Sequence, residues 1–315
     1  MSATAAISGV GLSVPEGRLT NADLEQRVDT SDAWIVERTG IRERRIAAPH
    51  ETTASLATAA GAAAVKDAGI VPDDVDLLLL ATCTPDEQLP HTSARVQEAL
   101  GLRCGAIDVG AACAGFVYAL GLAASVVESG RARHVLVVGA ETLSRITDPD
   151  DRGTAVLFGD GAGACVVSPS TGPGALLAWH AGCDGSAGDH LRVPVDLGFI
   201  RMDGAEVFRR AVRVVVESSA AALTAAGLTA DDVDLFVPHQ ANVRIIHAAA
   251  DRLGIPRERA FVNIDRYGNT SAASVPIALC EAVESGRLGN GELALLSGFG
   301  AGMTYASTLV LWGRS

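Results

Sequence analysis

Three side chains of different chemistry stand in unusual surroundings in this chain. Cys113 lies in DVGAACAGF (Asp108–Phe116), His239 in VPHQANVRII, and Asn269 in YGNTSAAS. Cys113 falls between an apolar strand and a small-residue helix, where unpaired N–H groups and the positive end of the helix macrodipole meet. Both favour thiolate, so its pKa is predicted to fall below the reference of ~8.5. His239 follows an apolar strand, at the end where open α/β sheets form their crevices. Asn269 precedes a second small-residue helix. Each has a plainer reading: a structural thiol, a satisfied core histidine, and a helix N-cap. As a set they offer a nucleophile and two polar partners, the equipment for covalent chemistry at a carbonyl.

The elements that must position them are written twice. AGIVPDDVDL (Ala68–Leu77) returns as AGLTADDVDL (Ala226–Leu235), 158 residues later, and VESGR at Val127–Arg131 returns at Val283–Arg287, 156 residues later. Matching order and spacing predict a duplication. In each half a helix ends near Gly69 or Gly227, and an acidic turn leads into an apolar strand, LLLLA (77–81) or LFVP (235–238). A small-residue helix then ends at VESGR, before another strand, VLVVGA (135–140) or LALLSGF (293–299). Alternating strands and helices predict largely parallel sheets covered on both faces, here a five-layer αβαβα stack from halves 1–170 and 171–315. The 156-residue offset pairs Cys113 with Asn269, so two helix starts are expected to converge at the centre.

Taken together, DVGAACAGF, VPHQANVRII, YGNTSAAS and GFGAGMTYAS resemble the β-ketoacyl-acyl carrier protein synthase III family of the thiolase fold. SDAWIVERTGIRERR (Ser31–Arg45), DRGTAVLFGDGAGA (Asp151–Ala164) and GAEVFRRAV (Gly204–Val212) match it in order, so the resemblance spans almost the whole chain. It implies that Cys113 takes the acyl group of an acyl-CoA primer, and that His239 and Asn269 stabilise the enolate left when malonyl-acyl carrier protein loses carbon dioxide. The backbone amides of Cys113 and Ala301 would form the oxyanion hole. Trp34, Arg38 and Arg152 would hold the CoA adenine, Phe208 and Asn242 would line the pantetheine tunnel, and Leu89 would gate the primer. Arg209 and Arg244 match carrier-protein contacts, and Arg252 adds to that basic face. No further cofactor is implied, since the CoA thioesters are substrates, and a homodimer is expected.

Some features depart from the family. Leu89 replaces the usual phenylalanine or threonine, and Asp184–Ile200 is shorter than the customary insertion over the acyl tunnel. These leave the primer open. They also leave a rival reading, a specialised-metabolism acyltransferase or synthase that uses acyl-Cys113 without decarboxylating carrier-bound malonate. A papain-like hydrolase also uses Cys, His and Asn, but no papain-type sequence surrounds Cys113.

Composition narrows the field further. A net charge of −12 and pI near 5.0 argue against nucleic-acid binding, so an acidic carrier must meet a local basic patch such as Arg209, Arg210 and Arg213. The six cysteines have no CxxC or metal-like spacing and read as reduced, mostly buried thiols of a cytoplasmic protein. Met1–Pro15 has no signal-peptide pattern. The uncharged run from Val109 to Val127 contains Gly110, Gly115 and Gly121 and reads as a buried helix rather than a membrane span. Gly159–Ala164 (GDGAGA) lacks the GxGxxG spacing of dinucleotide sites and reads as a glycine turn between paired strands.

Overall fold

A computed structural model describes residues 4–170 and 172–314. The uniformly apolar runs noted above become strands buried on both faces, as two-sided burial requires. Leu77–Ala81 lies parallel to Gly105–Val109 on one side and to Val135–Thr142 on the other. Asp160–Pro169 and then Ala5–Ser13 continue that sheet antiparallel. The second sheet repeats the order: Leu235–Pro238 parallel to Leu293–Gly300, then Thr304–Leu311 and Ala175–Cys183 antiparallel. A parallel bridge between Phe236 and Ala260 occupies the place of the fifth strand.

Strand side chains alternate between faces, and the alternation sorts the layers. Leu79, Val135 and Val137 of one sheet and Leu235, Val237 and Leu296 of the other meet the helices Gly115–Glu128 and Ser274–Glu284 in a shared central core. Leu78, Leu80, Leu136 and Val138 face outward onto the helix Thr53–Asp67. Phe236, Leu293 and Leu295 face outward onto Gly204–Ala226 and Val243–Leu253. The result is the five-layer thiolase fold, helix, sheet, helix, sheet, helix. Among the described residues no helix is long and apolar enough to cross a membrane, and the apolar run before Val127 is the buried central helix.

Two expectations need correction. GDGAGA is not a turn: Asp160–Ala164 opens a strand, and its glycines admit a close-packed helix. A Cβ on Gly163 would stand 2.6 Å from the backbone nitrogen of Ile277, and one on Gly139 of the adjacent strand 2.3 Å from the Ala272 carbonyl oxygen. The thiols are also less buried than expected, with Cys165 and Cys280 buried but Cys83 and Cys183 exposed.

The duplication is real, but its register shifts within the central helices. Their 14 and 11 residues begin at Gly115 and Ser274, 159 apart, and their C-caps are Ser129 and Ser285, 156 apart. Three residues are missing from the second helix. Cys113 is therefore the counterpart of Ala272, not of Asn269, which stands three residues further upstream.

Candidate active site

The two central helices do not begin with ordinary caps. Each is preceded by a tight turn, Ala112–Ala114 or Ser271–Ala273, whose first residue has a positive φ. Ala112 has φ 46° and Ser271 φ 47°, a conformation costing a non-glycine residue about 1–3 kcal/mol. These turns bring Cys113 and Asn269 to one cavity of about 500 Å³, with His239 at its wall. Trp34, Arg38, Phe208, Asn242 and Arg244 line the same cavity, whereas Arg152, Arg209, Arg252 and Leu89 do not.

Cys113 also borders a second, smaller cavity of about 80 Å³ whose walls include Cys83, Leu143, Ile146, Phe158, Ile200 and Ala301. The thiol thus lines both the larger cavity and a smaller, mostly apolar pocket. Its pKa does not fall as the helix start predicts. Burial pushes it up to about 12; the Ser271 hydroxyl opposes the rise, and the Glu141 carboxylate adds to it by less. Loss of solvation around the half-buried thiol outweighs one helix end.

His239 is almost wholly buried, and burial lowers its pKa to about 3, so the imidazole is neutral. Its Nδ1 is hydrogen-bonded to Ser274 Oγ at 2.6 Å, and Phe299 packs edge-on at 5.1 Å. With Nδ1 occupied, Nε2 is the ring nitrogen left for a ligand. Asn269 is fixed by its own turn. Its Oδ1 accepts the Ser271 N–H at 2.9 Å, which leaves the NH₂ as the free end of the amide. Ser274 and Ser271 carry no direct signal of their own; each lies within a motif already singled out, but its place at the site follows only from the fold.

Ala301 follows Gly300, where the strand Leu293–Gly300 turns at Ala301–Met303. A Cβ on Gly300 would lie 2.4 Å from the Cys113 amide nitrogen. Only glycine allows the two backbones this approach.

The guanidinium groups of Arg38, in the larger cavity, and of Arg152, outside its lining, lie 5.0 and 4.9 Å from the Trp34 ring centroid. Asn242 caps the helix Val243–Leu253, and its Nδ2 donates to the Arg38 carbonyl at 2.9 Å. Arg244 lies 5.4 Å from the Phe208 ring centroid. The other arginines are less available. Arg209 pairs with Glu206 at 2.5 Å, and Asp184 holds Arg210 at 3.1 Å and Arg213 at 3.6 Å. Leu89 is 77% exposed on a loop away from both cavities.

A residue missed entirely in the sequence is Glu141, at the end of the strand Val135–Thr142 and 0% exposed. A charge directly after the apolar run VLVVGA is the signal that could have found it.

The chain is also closely similar to known proteins. Residues 107–185 match the family model for 3-oxoacyl-[acyl-carrier-protein (ACP)] synthase III, and residues 223–312 match that for its C-terminal part. The chain is 52% identical to the β-ketoacyl-[acyl-carrier-protein] synthase III of Roseiflexus castenholzii, covering 98% of each. It superposes on the crystal structure of 3-oxoacyl-[acyl-carrier-protein] synthase III from Aquifex aeolicus VF5 with a TM-score of 0.96, at 48% identity over 98% of this chain and 100% of that one. The priming β-ketosynthase of the R1128 polyketide pathway is 42% identical with a TM-score of 0.93, over 98% of this chain and 97% of that one.

Proposed function

Since this chain belongs to the β-ketoacyl-acyl carrier protein synthase III family and is a decarboxylating condensing acyltransferase, we propose that Cys113, His239 and Asn269 carry its reaction. Cys113 attacks the thioester of an acyl-CoA and keeps the acyl group while CoA leaves. Malonyl-acyl carrier protein then loses carbon dioxide. Nε2 of His239 and the NH₂ of Asn269 donate to the thioester oxygen as it becomes an enolate, and the new carbanion attacks the acyl group on Cys113. The observation that carries this reading is the convergence of a half-buried thiol, a neutral imidazole and an oriented amide on one cavity. A neutral imidazole can donate without adding a cation that would hold the product.

The backbone amides of Cys113 and Ala301 serve the tetrahedral oxyanion, and each such donor typically contributes ~3–4 kcal/mol. CoA enters through the larger cavity past Trp34, Arg38, Asn242 and Phe208, with Arg152 on the adenine side, and the acyl chain turns into the smaller pocket. Arg244 and Arg252, which make no ion pair among the described residues, with help from Arg209, receive the acidic carrier. Halves 1–170 and 171–315 act as the units that deliver Cys113 and the His239–Asn269 pair. Gly105–Val109 is an edge strand with Ile107 51% exposed, which supports a homodimer formed along that edge. Leu89 lines neither cavity, so the primer-gating role expected of it has no support within this chain, and the protein works in the cytoplasm.

Likeness to a priming ketosynthase supports a second reading, in which the same condensation starts a polyketide rather than a fatty acid. The proposed roles are tested by separating the two half-reactions. Intact mass spectrometry with an acyl-CoA panel should show one acyl group on Cys113. His239→Ala and Asn269→Ala should keep that acylation but release carbon dioxide from malonyl-carrier protein roughly 10²–10³-fold more slowly. Acyl transfer without any carbon dioxide release from the unaltered protein would defeat the reading.

A further inference from the structure

His239 is fixed through its peptide and through one nitrogen of its ring. Its N–H donates to the Ser297 carbonyl at 2.7 Å, and its own carbonyl accepts the Ala241 N–H at 3.0 Å. Nδ1 lies 2.6 Å from the hydroxyl of Ser274, the first residue of the helix Ser274–Glu284. Both residues are 2% exposed, so this bond is shut off from bulk water.

What the bond does depends on which partner owns the proton. A neutral imidazole has one N–H and one bare nitrogen. Burial keeps this ring neutral. Either Ser274 donates to a bare Nδ1 and the ring proton sits on Nε2, or Ser274 accepts from Nδ1–H and Nε2 is bare. The first case offers the cavity a donor. The second offers it a lone pair.

The surroundings of Ser274 decide between them. The Gln240 N–H also donates to Ser274 Oγ, at 3.4 Å. Gln240 cannot turn away, because its side chain is fully engaged. Its Nε2 donates to the Pro238 and Phe261 carbonyls at 2.8 and 3.0 Å, and its Oε1 accepts the Asn263 N–H at 3.1 Å. Among the described residues the Ser274 hydroxyl has no acceptor other than Nδ1. If Nδ1 held the proton, Oγ would accept two N–H groups while its own hydrogen stayed buried without a partner. Such an orphan disfavours that tautomer on the order of ten-fold or more. With Nδ1 bare, each of these groups is satisfied.

We propose that Ser274 is a positioning residue that fixes His239 as its Nε2–H tautomer. Its hydroxyl accepts from Gln240, donates to Nδ1 and leaves the ring proton on the nitrogen that meets the substrate. No proton passes through Ser274. The opposite tautomer would aim a lone pair at a thioester oxygen gaining negative charge, and would repel it. Ser274 stands five residues after Asn269, whose Oδ1 is held by the intervening turn. One short segment therefore orients both enolate donors, the amide directly and the imidazole through its far nitrogen.

This inference rests on the proposed role of His239 as an enolate donor, but its first test needs no substrate. The protein is labelled with ¹⁵N-histidine, and long-range ¹H–¹⁵N correlation reads both ring nitrogens. His239 is one of seven histidines, and its signals are those lost in His239→Asn. The unaltered protein should show a single form, with Nε2 protonated and Nδ1 bare and hydrogen-bonded. Ser274→Ala should replace it with two exchanging tautomers. That variant should release carbon dioxide from malonyl-carrier protein about ten-fold more slowly, with acylation of Cys113 within about two-fold of the unaltered protein. Ser274→Thr, which keeps the hydroxyl, should restore both the single tautomer and the rate. A proton on Nδ1 in the unaltered protein overturns the inference even if no variant folds, and so does a single Nε2–H form persisting in Ser274→Ala. A tautomer change in Ser274→Ala with full carbon dioxide release would instead sink His239 as enolate donor and leave the hold of Ser274 on the ring standing.

Discussion

Ala112 and Ser271, 159 residues apart, share one left-handed backbone conformation, and each opens the turn that leads into a central helix. One turn presents Cys113, and the other holds the amide of Asn269 through the Ser271 N–H. The duplication has therefore preserved a strained corner and placed different chemistry on each copy.

That strain can be measured at Ala112, which has no side-chain role. Ala112→Gly relieves a cost of about 1–2 kcal/mol but adds about 0.5–1 kcal/mol of backbone entropy. A net gain of up to about 1.5 kcal/mol in urea denaturation is expected, with slower acylation of Cys113 as the turn loosens. Ala112→Val should destabilise by about 1–3 kcal/mol, because a β-branched residue tolerates this conformation poorly.

Gly300 sets the distance between the two amides assigned to the oxyanion. In Gly300→Ala the new Cβ would fall 2.4 Å from the Cys113 nitrogen and 2.9 Å from Ala112 Cβ, so one backbone must move. Acylation of Cys113, read as the burst of CoA release, should fall roughly 10²–10³-fold. Equilibrium binding of CoA, proposed to be held by Trp34, should stay within about two-fold of the unaltered protein.

Much of this architecture was legible because its signals are local. An apolar run such as LLLLA can be satisfied only between two layers, and two copies of DDVDL announce two halves. Cys113, His239 and Asn269 stood out because each sits in a motif at an element boundary. What could not be read depends on the other half of the molecule. Glu141 meets the Ala272 N–H, and Ser271 reaches the smaller cavity beside Cys113, only when the second half closes on the first. The direction of the Cys113 shift was misjudged for the same reason: a helix start is visible in sequence, whereas enclosure by distant walls is not. The pairing of Cys113 with Asn269 failed because three residues are missing inside a helix, between two motifs that otherwise align.

The arginines divide by their partners. Arg209 is already matched by Glu206, whereas Arg244 and Arg252 have no acidic partner among the described residues. Arg252→Glu should therefore raise KM for the acidic carrier about ten-fold, an effect that shrinks as salt is added. Arg209→Glu should raise it less at low salt. KM for acyl-CoA should be unaffected by Arg252→Glu, because that residue lies outside the cavity lining. Equal effects of both substitutions would mean that ion pairing does not decide which arginines meet the carrier.

Acid should unfold this protein partly through His239. Its folded pKa is about 3, below the unfolded value of 6.5, so the unfolded chain binds the extra proton between those pH values. The stabilisation is complete above pH 6.5 and is lost as pH falls towards 3, at up to about 1.4 kcal/mol per pH unit. Glu141 and Asp160 act in the opposite sense, since burial raises their pKa values and favours the protonated folded form in acid. Comparing the protein with His239→Asn cancels those contributions. Between pH 6.5 and 4.5 the unaltered protein should lose about 2 kcal/mol more stability than the variant in urea denaturation. Parallel losses in the two proteins would mean that the buried imidazole takes up its proton without unfolding, and that the apolar enclosure around it opens in acid.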